Sequence, residues 1–165
     1  YLLRDLDNRL VQQIKLDQSP YQVHHRHLMK IDPQGEYLYA TCSKVGDHGE
    51  KHYDAGGRVC RYKLDGKTGK WEEVFAVQQS SKEIFSLQDL DVNGQGDVVI
   101  IHRGHHPQSI WKYTASSRNV EFVTRATFDV VVPFLGAPLL SPDSRWISFS
   151  LRSELHLAHH KGARP

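Results

Sequence analysis

The chain has 165 residues, of which 39% are apolar and 24% charged, and its formal net charge is +2. That balance belongs to a globular protein and excludes an intrinsically disordered one. The 21 basic and 19 acidic residues are spread along the chain, so no basic patch marks a nucleic-acid or anionic-membrane partner. The most apolar stretch, 130–140, is broken by Pro133, Gly136 and Pro138. A membrane span needs ~20 apolar residues, so none is expected.

Helical periodicity is almost absent. Apolar residues alternate with polar ones, or run in short blocks, between turn residues, and β-branched and aromatic residues support strands. In chain order, a polar hairpin covers 2–16 around Asp7 and Asn8. A more apolar hairpin follows at 31–39, turning at Asp32-Pro33-Gln34-Gly35. The next polar hairpin spans 58–75 around 65–69. An apolar one at 90–100 turns at Asn93-Gly94-Gln95-Gly96. A polar one at 109–124 turns at 116–119, and an apolar one at 140–149 turns at Ser141-Pro142-Asp143-Ser144. A last polar hairpin begins at Glu154. Pro presets φ at such turns, and Gly and Asn accept left-handed positions.

The two hairpin kinds alternate strictly, with a period of roughly 45–60 residues, which is the mark of a propeller array. The sequence therefore predicts an all-β chain of β-propeller blades, each a four-stranded antiparallel meander. Strands A and B come from the apolar hairpins and C and D from the polar ones. The blade parts fall at 1–18, 19–79, 80–127 and 128–165, a single partial domain of about three to three and a half blades. Propellers close with ~4–8 blades. The expectation is a piece of a six- to eight-bladed ring, whose missing blades come from the same polypeptide or from another chain. Tyr1 is not a natural start, and a truncated chain is expected.

Ser141-Pro142-Asp143-Ser144-Arg145-Trp146-Ile147-Ser148-Phe149 resembles the repeat box of TolB-type, WD40-like propellers. Asp32-Pro33-Gln34-Gly35-Glu36-Tyr37-Leu38-Tyr39 is similar to the box of lactonase-like propellers. The resemblance implies architecture rather than activity, because many unrelated functions share it. It also implies that ligands meet the end of the propeller formed by the D-to-A and B-to-C connections.

Eleven histidines are present. On this frame His24, His25 and His27 fall in a D-to-A connection. His48 and His52 fall in a long B-to-C loop, 45–57, which carries four glycines and alternating charge. His102, His105 and His106 fall in the next B-to-C loop. His156, His159 and His160 belong to strand C and the opposite end. The expected ligand-binding residues are His24, His25, His27, His48, His52 and Arg103, for a protein, peptide or carbohydrate ligand. The alternative is an enzyme fragment in which His25, His27, His102, His105 and His106 hold a divalent metal, as the oligogalacturonate lyases and nitrous-oxide reductases draw ligands from several blades. A third reading is the gating propeller of a prolyl-oligopeptidase-like peptidase. The sequence contains no nucleophile elbow, phosphate loop or dinucleotide fingerprint.

Cys42 and Cys60 fall in neighbouring predicted strands. A cross-strand pair is open to them, but two buried thiols are the expected state. Trp111 and Trp146 are expected to pack between blades.

Overall fold

The structure is a computed structural model that describes residues 2–4, 6–18, 20–23, 29–44, 58–67, 69–77, 86–103, 108–125, 135–151 and 154–159. All regular structure among them is β-strand, and the strands form propeller blades. β1 (Leu2–Arg4) and β2 (Leu10–Gln13) make an antiparallel hairpin. The next sheet contains β3 (Asp17–Gln18), β4 (Tyr21–Val23), β5 (Met29–Ile31), β6 (Tyr37–Lys44), β7 (Arg58–Lys63) and β8 (Glu72–Ala76). β4 and β5 are two segments of one strand A, because both pair with β6 in the same antiparallel sense. A complete four-stranded blade follows: β9 (Ser86–Val92), β10 (Val98–Arg103), β11 (Ser109–Thr114) and β12 (Asn119–Arg125). β13 (Leu135–Leu140), β14 (Trp146–Leu151) and β15 (Glu154–His159) supply strands A to C of another. The sheets centred on β6, β10 and β14 are called blades 1, 2 and 3 below.

The period-2 alternation that identifies the strands also explains how blades stack. In β10, Val98 and Ile100 point to blade 1, where they join Tyr39, Val59, Phe75, Leu90 and Tyr113 in one buried cluster. Val99 and Ile101 point the other way and pack with Ile110, Leu140, Ile147 and Phe149. β10 is thus buried on both faces, which is why it reads as an unbroken Val-Val-Ile-Ile run. In β6 the same alternation sends Tyr39 to blade 2, and Leu38, Ala40 and Cys42 to a third cluster with Ile14, Tyr62 and Trp71. Phe75 of blade 1 stacks on Tyr113 of blade 2 with ring centroids 4.6 Å apart.

The A-to-B turns share one design. The residue that opens each turn uses a side-chain oxygen to hold backbone N–H groups further on. Asp32 Oδ1 accepts from Glu36 N at 2.8 Å and Tyr37 N at 3.0 Å. Asn93 Oδ1 accepts from Gln95 N and Asp97 N, both at 3.0 Å. Ser141 Oγ accepts from Trp146 N at 2.9 Å. Gly35 and Gly96 sit in these turns at φ 71° and 80°, a region that residues with a Cβ rarely enter.

These turns also bond sideways. Gln34 Nε2 donates to the Gly94 carbonyl at 2.8 Å, joining blades 1 and 2. Asn93 Nδ2 donates to Ser144 Oγ at 2.6 Å, joining blades 2 and 3. The Ser144 hydroxyl in turn donates to Asp97 Oδ2, and Lys112 Nζ donates to the Ser144 carbonyl at 3.0 Å. Asn93, Asp97, Lys112 and Ser144 are all buried, so each needs these partners. Burial pulls the Lys112 pKa down, and the carboxylates of Asp97 and Glu121 oppose that fall.

Two expectations are corrected. Cys42 and Cys60 form a disulfide rather than two buried thiols. Cys42 lies opposite Arg58 and Cys60 opposite Ala40, so the two are diagonal neighbours on one sheet face. Their Cα atoms are 5.9 Å apart, within the range a disulfide spans. The tryptophans also diverge. Trp111 is partly buried against the blade 1–blade 2 cluster and meets Phe122 edge-on, with centroids 5.5 Å apart. Trp146 is 45% exposed, because its position on β14 faces away from the Ile147–Phe149 side that packs on blade 2.

Candidate functional site

Because the A-to-B turns of blades 1, 2 and 3 are bonded side by side, they occupy one end of the array. An antiparallel meander then sends the B-to-C connections to the opposite end. Strand β6 ends at Lys44 and β7 begins at Arg58, so residues 45–57 leave blade 1 there. Strand β10 ends at Arg103 and β11 begins at Ser109, so the second B-to-C connection leaves blade 2 at that same end.

The segments that flank the first histidine group pair differently from expectation. Asp17 and Gln18 already pair with Gln22 and Tyr21, so the chain has entered the sheet before residue 24. Val23 pairs with Cys42, and Met29 pairs with Ala40. Residues 24–28 therefore connect two segments of strand A, with Thr41 as the β6 residue between their anchor points, rather than forming a D-to-A connection. His24, His25 and His27 themselves lie outside the described residues, as do His48, His52, His105 and His106. Arg103 closes β10, where it pairs with Ser86.

His102 is the described histidine of the expected set. It is buried near the loop end of β10, opposite Ser109 in the register. Its Nδ1 lies 3.3 Å from Ser109 Oγ, and Trp111 Nε1 donates to the same oxygen at 2.9 Å. With Trp111 donating to it, the Ser109 hydroxyl is free to donate to Nδ1. The contact fits either neutral tautomer of the ring, with Nδ1 accepting from the Ser109 hydroxyl or donating to it. Burial lowers the His102 pKa from 6.5 to about 4, so the ring is neutral at pH 7. A metal ion at Nδ1 would have to displace the Ser109 contact. Among the described residues no group of three or more His, Cys, Asp or Glu is placed to hold a metal.

Other residues at this end emerge only with the fold. By alternation Thr41 and Ser43 share the Tyr39 face of β6, and both are buried. His102 and Ser109 lie on the Ile100–Tyr113 face of blade 2. The two faces oppose each other, so this interface is apolar midway along the strands and polar towards the loop end. Thr41 Oγ1 is buried and has no hydrogen-bond partner among the described residues. Gln108, also buried, stands at the entry to β11. The available signal was the break in each apolar row: Tyr37 and Tyr39 give way to Thr41 and Ser43, and Val98 and Ile100 to His102.

No family model matches the sequence, and no curated protein matches it. Among solved structures the chain is similar to a periplasmic gluconolactonase of Pseudomonas aeruginosa, at 12% sequence identity and a TM-score of 0.39. The match covers 95% of this chain and 65% of that one, so this chain spans less than two thirds of the other's length.

Proposed function

We propose that these blades form a ligand-binding module whose working surface is the loop end, taking a protein, peptide or carbohydrate. One observation carries the reading. The sideways bonds between A-to-B turns support putting both described B-to-C exits, Lys44/Arg58 and Arg103/Gln108, at the same end of adjacent blades. The connections that leave there carry His48, His52, His105 and His106, and residues 24–28 add His24, His25 and His27 from strand A. Loops held on a rigid scaffold are where binding residues concentrate. The resemblance of the repeat boxes to TolB-type and lactonase-like propellers supports the same end.

Screening the purified chain on glycan and peptide arrays, followed by titration of any hit, tests this. His27→Ala and His52→Ala are expected to weaken a hit at least tenfold. Gln34→Ala, at the opposite end, is expected to leave it unchanged. A hit that ignores both histidine substitutions, or that is lost with Gln34→Ala, overturns the reading.

A further inference from the structure

The Cys42–Cys60 disulfide lies at the neck of the longest loop-end connection. Cys42 is two residues before the end of β6, and Cys60 is two residues after the start of β7. The bond therefore ties together the two strands from which residues 45–57 leave and to which they return. Both cysteines are fully buried, at 0% exposure, among Val23, Ala40, Tyr62 and Trp71. The β6–β7 ladder already aligns the strands below this point, with pairs from Tyr37–Lys63 up to Cys42–Arg58. The ladder ends at that pair, and a covalent tie there holds its last rungs together.

We infer that the Cys42–Cys60 disulfide is the fixed base of the 45–57 connection, and that the loop end of blade 1 is assembled in an oxidising compartment. The inference rests on the binding-end reading for its purpose, though not for its test. A crosslink limits the open states of the segment it closes, and the effect grows with the length enclosed. The enclosed separation is 18 residues. For a loop of that size the tie is expected to suppress opening on the order of 100-fold. Burial keeps the bond away from soluble reductants, so it acts as a structural tie. Reducing compartments hold cysteines as thiols, whereas secreted and periplasmic ones let such pairs persist.

Two measurements on the 165-residue chain decide the matter. The first is thiol titration of protein made in an oxidising compartment and denatured without reductant. No thiol is expected, and two free thiols would overturn the inference. The second is hydrogen exchange with Cys42→Ala/Cys60→Ala. Amides at 42–44 and 58–60 should exchange on the order of 100-fold faster, while β10 and β11 keep their protection. Equal exchange in both proteins would overturn the tie. If the double variant does not fold, the same comparison is made between the unaltered chain and the chain unfolded, reduced with a phosphine and refolded, since the buried bond is reached only in the unfolded state. Neither readout uses a ligand, so a failure here is distinct from a failure of the binding reading.

Discussion

His102 shows how one position carries both a fold constraint and a pH response. Its ring sits where the apolar row of β10 ends, and burial holds its pKa at about 4. In the unfolded chain the same ring titrates near 6.5. The unfolded state therefore takes up the proton first as the pH falls. The stability contributed by keeping the ring neutral is complete above about pH 6.5 and drains away towards about pH 4. By pH 5 the loss amounts to about 2 kcal/mol. Urea unfolding at pH 7.5 and pH 5 checks it, with His102→Gln as reference, since an amide does not titrate there and still reaches Ser109. The unaltered chain is expected to lose about 2 kcal/mol more than the variant over that interval. Equal losses would show that His102 is already protonated in the fold.

At the scale of the hairpin, the A-to-B turns rest on a side-chain acceptor rather than on backbone bonds alone. Asp32 is buried, and its Oδ1 satisfies two amides that the turn leaves outside the β5–β6 ladder. Asp32→Ala removes the acceptor for both, and is expected to cost about 1–2 kcal/mol. Asp32→Asn keeps the oxygen and should cost less than half as much. Thermal melts of the two variants separate the hydrogen bonds from the charge. The turn residues were plain in the sequence for this reason: a short polar side chain, followed by Pro, Gly or both, is chemistry confined to five residues. The alternating strands were equally plain, because which side of a strand is buried follows from period 2. The division of strand A into β4 and β5 was not. Nothing within 21–31 shows that both ends of that segment pair with β6, since the evidence is the register against Cys42 and Ala40. The disulfide was hidden in the same way. Neighbouring strands were predicted, but the diagonal that brings Cys42 and Cys60 onto one face depends on register.

At the scale of the whole molecule, the blade-to-blade hydrogen bonds and apolar clusters among the described residues join neighbouring blades, so the effect of a substitution should stay local, as in other stacked repeats. The blade 2–blade 3 junction offers a sharp test, because among the described residues Asn93, Asp97, Lys112 and Ser144 form a buried polar group there, with Asp91 Oδ2 accepting from Leu140 N beside it. Asn93 is the residue on which it turns. Its Oδ1 serves its own turn, while its Nδ2 donates across to Ser144 Oγ and lies 3.4 Å from the carbonyls of Ser141 and Pro142. Asp32, at the matching place in blade 1, has no such donor, and there the sideways bond comes from Gln34 instead. Asn93→Asp keeps the turn acceptor but points a carboxylate at oxygen atoms, beside the buried carboxylate of Asp97. The expected cost is about 2–3 kcal/mol, set by a buried charge without a matching donor. If coupling is between neighbours, hydrogen exchange in Asn93→Asp rises at β13 and β14, while β6 and β7 keep their protection to within about twofold. The sheets on either side of β9–β12 would then behave as separately opening units. A uniform rise from β6 to β14 would instead mean that the blades unfold together, with the apolar clusters outweighing the polar junction in setting cooperativity.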